Sequence, residues 1–225
     1  MPTPTSPKAV VFDIDGTLTP ILSWLDFTAA LGASVEEHRA IFRDYLDERI
    51  TYEESRIQLL ALWQGTGKAN RRTIEAIFNS WPLDPAAVPL IHDLHDRGLH
   101  VCLITGSFDV YAANVSGRLG VTHWYANTEF IFDEHDELIS YNYMRDQANE
   151  KLAQFQKFLA ATKLKPTDCL AVGDGPNDLE LFKATGRGIF IEPKFNRDDL
   201  ADIRASAWRT VHNLAEAKAV IKQIL

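Results

Sequence analysis

Four short apolar runs punctuate the chain: AVVFDID (9–15), HVCLITG (100–106), CLAVGDG (169–175) and GIFIEP (188–193), each closing on Gly, Asp, Thr or Pro. Helical patterns separate them. Strands covered on both faces read as continuous apolar segments, so this rhythm predicts βαβ units and a parallel, doubly wound sheet. A helix is expected before the second run, from Asp84 and Pro85 as N-cap and first turn to Gly98 as the C′ glycine. Residues 19–82 carry no strand pattern and are too many for an ordinary loop in a compact domain. Two capping boxes, Ser34 with Glu37 and Thr51 with Glu54, open helices there. Leu59, Leu62 and Trp63, and then Ile74, Ile77 and Phe78, recur at helical spacing. The expectation is a core of residues 1–18 and 83–225 with a helical bundle, 19–82, inserted after the first strand. A further stretch, WYANTEFIFDEHDELISYNYM, alternates around the polar turn DEHDE and predicts a small β-hairpin.

Composition narrows the function. The 225 residues are 46% hydrophobic, enough to bury a substantial core and to exclude a disordered chain. With 31 acidic against 23 basic side chains the net charge is −8, which disfavours nucleic acid as a partner. An anionic ligand must therefore be held by local positive groups. No apolar stretch approaches the roughly 20 residues of a spanning helix, and the start MPTPTSPKAV lacks the apolar region of a signal peptide. The expectation is a cytoplasmic protein without a membrane partner, acting as a monomer or homodimer. Cys102 and Cys169 lie in apolar runs without CxxC spacing and read as small buried thiols.

Ligands of open parallel sheets bind at the carboxyl ends of strands. The first run ends in Asp13 and Asp15, the second in Thr105, Gly106 and Ser107, the third in GDGPND (173–178), and Lys151 opens the helical stretch KLAQFQKFLA. In extended backbone residues i and i+2 share a face, so Asp13 and Asp15 can address one ligand while Ile14 turns away. These four features, DIDGT, ITGS, the lysine and GDGPND, resemble in order the motifs of the haloacid dehalogenase superfamily of phosphohydrolases. The helical insertion, the hairpin and the spacing from Lys151 to GDGPND look like its phosphoserine phosphatase-like branch. The resemblance covers almost the whole chain and implies a Rossmann-like α/β core under a helical cap.

The resemblance also implies roles. A dianionic phosphate ester repels a carboxylate nucleophile unless a cation intervenes. Magnesium, which prefers oxygen ligands, suits Asp13, the main-chain carbonyl of Asp15 and Asp174, with Asp178 orienting a metal-bound water or Lys151. Asp13 would attack phosphorus, and Asp15 would protonate the leaving alkoxide and later take a proton from water. Thr105, Gly106 and Lys151 would hold the equatorial oxygens. Ser107 reads either as a ligand of the phosphate or as a helix cap, and Asn177 as a phosphate or substrate contact or as the cap of NDLELFKA. Lys157 and Lys163 read as the solvated side of their helix, and His92, His95 and His135 as surface residues. Trp24, Arg56 and Trp63 are candidate cap contacts to substrate. The family's phosphoserine enzymes carry DxDST and a glutamate several residues later; here the motif is DIDGT, and Leu22 and Ser23 occupy that neighbourhood. The expected activity is a magnesium-dependent phosphatase for a small phosphorylated metabolite. Phosphoserine as substrate, transfer to an acceptor alcohol, and an idle phosphate-binding module are the alternatives.

Overall fold

The computed structural model describes residues 6–193 and 198–225, so the first five residues lie outside it. In chain order it contains β1 (Ala9–Phe12), α1 (Ser23–Leu31), α2 (Val35–Leu46), α3 (Tyr52–Gln64), α4 (Arg71–Ser80), α5 (Ala87–Asp96), β2 (His100–Phe108), α6 (Asp109–Leu119), β3 (His123–Phe132), β4 (Leu138–Tyr143), α7 (Gln147–Thr162), β5 (Cys169–Gly173), α8 (Leu179–Thr185), β6 (Gly188–Ile191), α9 (Ala201–Ser206), β7 (Arg209–Val211) and α10 (Leu214–Ile224). The fold is α/β. One sheet runs β4-β3-β2-β1-β5-β6-β7, parallel except for the β3–β4 pair.

Alternation along β1 and β2 divides the core between the two faces of the sheet. Val10, Phe12, Val101 and Leu103 face one cluster; Ala9, Val11, Cys102 and Ile104 face the other, with Phe155 and Phe158 of α7. Helices α1, α3 and α4 share the first cluster. Phe27 of α1 packs 5.0 Å from Trp63 of α3 and 5.3 Å from Phe108 of β2, which stacks at 4.5 Å on Phe130 of β3. Among the described residues no helix is long and apolar enough to cross a membrane.

Several local expectations shift. The helix expected from Asp84 begins at Ala87: Asp84 and Pro85 form a turn in which Asp84 Oδ1 accepts from the Ala86 amide at 2.8 Å. Gly98, at φ 75°, closes it as expected. The Thr51–Glu54 box is complete, whereas at Ser34 only the hydroxyl half forms, accepting from the Glu37 amide. The hairpin around 133–137 is no separate excursion. Its first strand pairs in parallel with β2, so it forms one margin of the main sheet. Strand β7 has three residues, too few to leave a periodic trace.

A buried polar knot ties α1, α2 and α3 together. Thr28 Oγ1 meets His38 Nδ1 at 2.7 Å, accepts from Trp63 Nε1 at 2.8 Å and lies 3.1 Å from the Trp24 carbonyl. Burial, helped by Arg39, lowers His38 from 6.5 to about 4. A histidine that resists protonation only when folded contributes stability in full above the unfolded value, and loses it as pH falls from 6.5 towards 4. Between pH 7.5 and 5.0 the wild type is expected to lose about 1–2 kcal/mol more than His38→Gln, measured by urea unfolding. Equal losses would exclude His38 as the source.

Candidate active site

Strand register brings the acidic residues together. Phe12 lies opposite Leu103 on one side and Val172 on the other, and the Asp13 amide extends that ladder by donating to the Val172 carbonyl at 2.9 Å. Asp13 therefore leaves the sheet beside Gly173 and Asp174, where the strand order reverses on either side of β1. Asp13, Asp174 and Asp178 can each bring one carboxylate oxygen within 4.8 Å of the others, a spacing that can hold a metal ion.

Asp13 has the parity of Ala9 and Val11, so it faces α7. On that helix Lys151 lies one turn before Phe155, on the buried stripe. The Lys151 ammonium is fully buried, 2.8 Å from Asp13 Oδ1 and 2.7 Å from Asp178 Oδ1. Burial alone would lower its pKa; the two carboxylates more than reverse that, and it stays an ammonium. Burial lifts Asp174 well above the carboxylate range, and the neighbouring Asp13 and Asp178 charges add to this. Burial also raises Asp178, with Lys151 opposing. Among the described residues no hydrogen-bond donor faces the Asp174 carboxylate.

Asp15 occupies a different setting. Its Oδ2 accepts from the Ser23 amide at 2.9 Å and the Ser23 hydroxyl at 2.5 Å, while its Oδ1 is buried without a partner. Burial, then the negative charge of Asp13, lifts Asp15 from 3.8 to about 7, against the lowering effect of the Ser23 bonds. It can therefore hold and release a proton near neutrality.

Glycines let these groups converge. Gly16 has φ 66°, and a Cβ there would overlap the Asp174 carboxylate; a Cβ on Gly173 would overlap Asp178, and one on Gly106 would meet the amides of Gln147 and Asn177. Gly16→Ala is expected to lower turnover by about 100-fold by displacing Asp174. Gly67→Ala, with the same φ of 66° but open space around the added carbon, controls for backbone strain alone. Equal activities of the two variants would contradict the steric argument.

The remaining sequence candidates divide. Thr105 is buried and its Oγ1 accepts from the Ser107 amide at 3.1 Å, while half-buried Gly106 lies between Gln147 and Asn177. Asn177 does not cap α8, whose N-cap is Asp178, and no side chain makes a capping bond there. Ser107 caps nothing and does not face open space: its hydroxyl donates to Ser23 Oγ at 2.5 Å. Arg56 is held by Glu53, Ser140 Oγ and the Tyr141 carbonyl, beside a groove of about 750 Å³ along the β3–β4 margin, and none of these partners belongs to the acidic cluster. Trp24 packs 4.8 Å from Phe108 and 5.4 Å from Tyr143, and Trp63 is fully buried, so both rings serve the aromatic core. Lys157 and Lys163 are exposed, as are His92, His95 and His135, but Lys163 has φ 58° and ends α7 rather than lying along it. Cys102 and Cys169 are free, buried thiols. Ser23 and Gln147 were not singled out from sequence. Only their nearness to DIDGT and to the start of the lysine helix could have signalled them.

A family model for haloacid dehalogenase-like hydrolases matches residues 10–183. The phosphoserine phosphatase of Idiomarina loihiensis is 28% identical over 216 residues, covering 95% of this chain and 93% of that one. That of Methanocaldococcus jannaschii is 26% identical over 202 residues, covering 87% and 90%. Among solved structures, a phospho-aspartyl intermediate analogue of phosphoserine phosphatase superposes with a TM-score of 0.72 at 20% identity, covering 96% of this chain and 99% of that one. An HAD family hydrolase from Salmonella enterica serovar Typhi gives 0.74 at 16%, covering 94% and 68%. At such identities the structural likeness speaks for the fold.

Proposed function

The chain belongs to the haloacid dehalogenase-like hydrolases, and on that premise we propose that it is a magnesium-dependent phosphatase acting on a small phosphorylated metabolite through an aspartyl-phosphate at Asp13. It is a phosphoric monoester hydrolase. The observation that carries the reading is the cluster of Asp13, Asp174 and Asp178, two of which, Asp13 and Asp178, bond one buried ammonium, Lys151.

Three clustered carboxylates served by a single ammonium form a hard oxygen donor set short of positive charge, which fits a divalent cation. The unpartnered Asp174 carboxylate fits it too. Asp13, Asp174 and the main-chain carbonyl of Asp15 would hold Mg²⁺, with Asp178 supporting from behind. The bound ion would offset the repulsion between a phosphate dianion and these carboxylates. Lys151 fixes the Asp13 carboxylate by a 2.8 Å bond and contributes positive charge where the equatorial oxygens of the transferred group collect. As Asp13 bonds to phosphorus, the bond to the leaving oxygen breaks and Asp15 supplies a proton to that oxygen. In the second half a water oxygen bonds to phosphorus as Asp15 takes its proton, the bond from phosphorus to the Asp13 oxygen breaks, and phosphate departs with the Asp13 carboxylate restored. The half-buried Gly106 amide, with Asn177 beside it, suits contact with the phosphoryl oxygens. Helices α1–α4, within residues 19–82, would serve as the cap that excludes water and contacts the leaving group.

Phosphoserine is the first substrate to test, because the relatives bear that name. Position 22 holds an exposed leucine, and the nearest acid, Asp26, accepts from the Leu22 amide at 2.8 Å. That favours a leaving group without an ammonium near this point. The test is hydrolysis of 4-nitrophenyl phosphate, phosphoserine and a panel of phosphorylated metabolites with magnesium and with EDTA. Magnesium-dependent release of phosphate is expected; no turnover of any ester would reject the reading.

A further inference from the structure

We propose that Ser23, the first residue of α1, and Ser107 behind it are positioning residues that fix which oxygen of Asp15 carries the transferable proton; this rests on the phosphatase reading above. Ser23 is fully buried and Ser107 nearly so. Both bonds from Ser23, amide and hydroxyl, end on Asp15 Oδ2. Oδ1 is left buried with no partner. An oxygen that already accepts two hydrogen bonds is the poorer place for a proton, so the proton resides on Oδ1.

Ser107 explains why the arrangement has one sense. A serine hydroxyl has one hydrogen to give. Because Ser107 Oγ donates to Ser23 Oγ at 2.5 Å, Ser23 must point its own hydrogen elsewhere, and Asp15 Oδ2 is the acceptor present. Ser107 lies in the last residues of β2, where its amide donates to Thr105 Oγ1, so the sheet sets the direction of the relay. The other end belongs to the helical insertion. No side chain of Leu22 caps α1; the Ser23 amide is satisfied by Asp15 and the Leu22 amide by Asp26. The start of α1 is thus docked on the acid itself, and displacement of that helix would turn the carboxylate.

The proton matters only when the departing oxygen is strongly basic. As the phosphorus–oxygen bond breaks, its electron pair passes to the leaving oxygen. An alkoxide needs the Asp15 proton at that moment, and a dinitrophenolate does not. For Ser23→Ala, kcat/KM for propyl phosphate is expected to fall roughly 10- to 100-fold, a part of the ~10²–10⁴ that a positioned acid supplies. For 2,4-dinitrophenyl phosphate kcat/KM should stay within about twofold, because that ratio covers only the steps up to formation of the phosphoryl-enzyme. Ser23→Thr should restore the alkyl ester, and Ser107→Ala should show a smaller fall in the same sense. Both variants keep the test open should Ser23→Ala fold poorly. Parallel losses on both esters, or none on either, would overturn the positioning role while leaving the phosphatase reading intact. A wild type that cleaves only the dinitrophenyl ester would also overturn it. A wild type that cleaves neither would overturn both.

Discussion

Asp13→Asn is expected to lower phosphate-ester hydrolysis by at least about 10⁴-fold while leaving the melting temperature near that of the wild type. Asparagine keeps the shape of the side chain and an oxygen that can accept the Lys151 bond, so packing against α7 is retained. The amide is a far weaker nucleophile than the carboxylate, and one ligand charge is lost as well. The measurement is steady-state release of phosphate in magnesium, with thermal unfolding alongside. Turnover within tenfold of the wild type would move the nucleophile elsewhere in the cluster.

Asp174→Asn is expected to separate stability from function. Activity in magnesium should fall by at least about 10²-fold, because a ligand opposite Asp13 is neutralised. The metal-free variant should nevertheless be more stable than the metal-free wild type, by about 1 kcal/mol or more. The sign follows from the raised pKa of Asp174. An unfolded-chain carboxylate is ionised at pH 7, whereas the folded site, crowded by Asp13 and Asp178, disfavours that charge; stability is full below the ordinary 3.8 and is lost as pH rises. Asparagine removes the conflict. Magnesium should then raise the melting temperature of the wild type and leave that of Asp174→Asn nearly unchanged. A metal-free variant less stable than the wild type would show that Asp174 is held by favourable contacts instead.

Much of this site was legible in the sequence because its residues sit where strands end. Asp13, Thr105 and Asp174 follow apolar runs directly, and a parallel sheet brings such ends together whatever their distance along the chain. Lys151 was legible for a different reason: it shares a helical stripe with Phe155, so helical period and chemistry agreed. Less regular features were not. The Ser23 bond to Asp15 depends on the path of residues 16–22, which has no period to read. The two strands of the hairpin were recognisable from alternation, but their membership of the main sheet depends on the register of β3 against β2. Arg56 carries the right chemistry for a substrate contact, yet Glu53 one turn earlier and the β4 residues Ser140 and Tyr141 claim its guanidinium. Trp24 and Trp63 are aromatic in a helical insertion, and sequence alone does not separate a ring that lines a site from one that fills a core.

Chemical trapping reaches the central claim most directly. Enzyme mixed with 4-nitrophenyl phosphate and magnesium is quenched with borohydride, which reduces an aspartyl-phosphate to homoserine, and the digested protein is read by mass spectrometry. Homoserine at position 13, dependent on both ester and magnesium, is the expected result. A reduced residue at any other aspartate, or an unmodified Asp13 in enzyme that is demonstrably turning over, would contradict it.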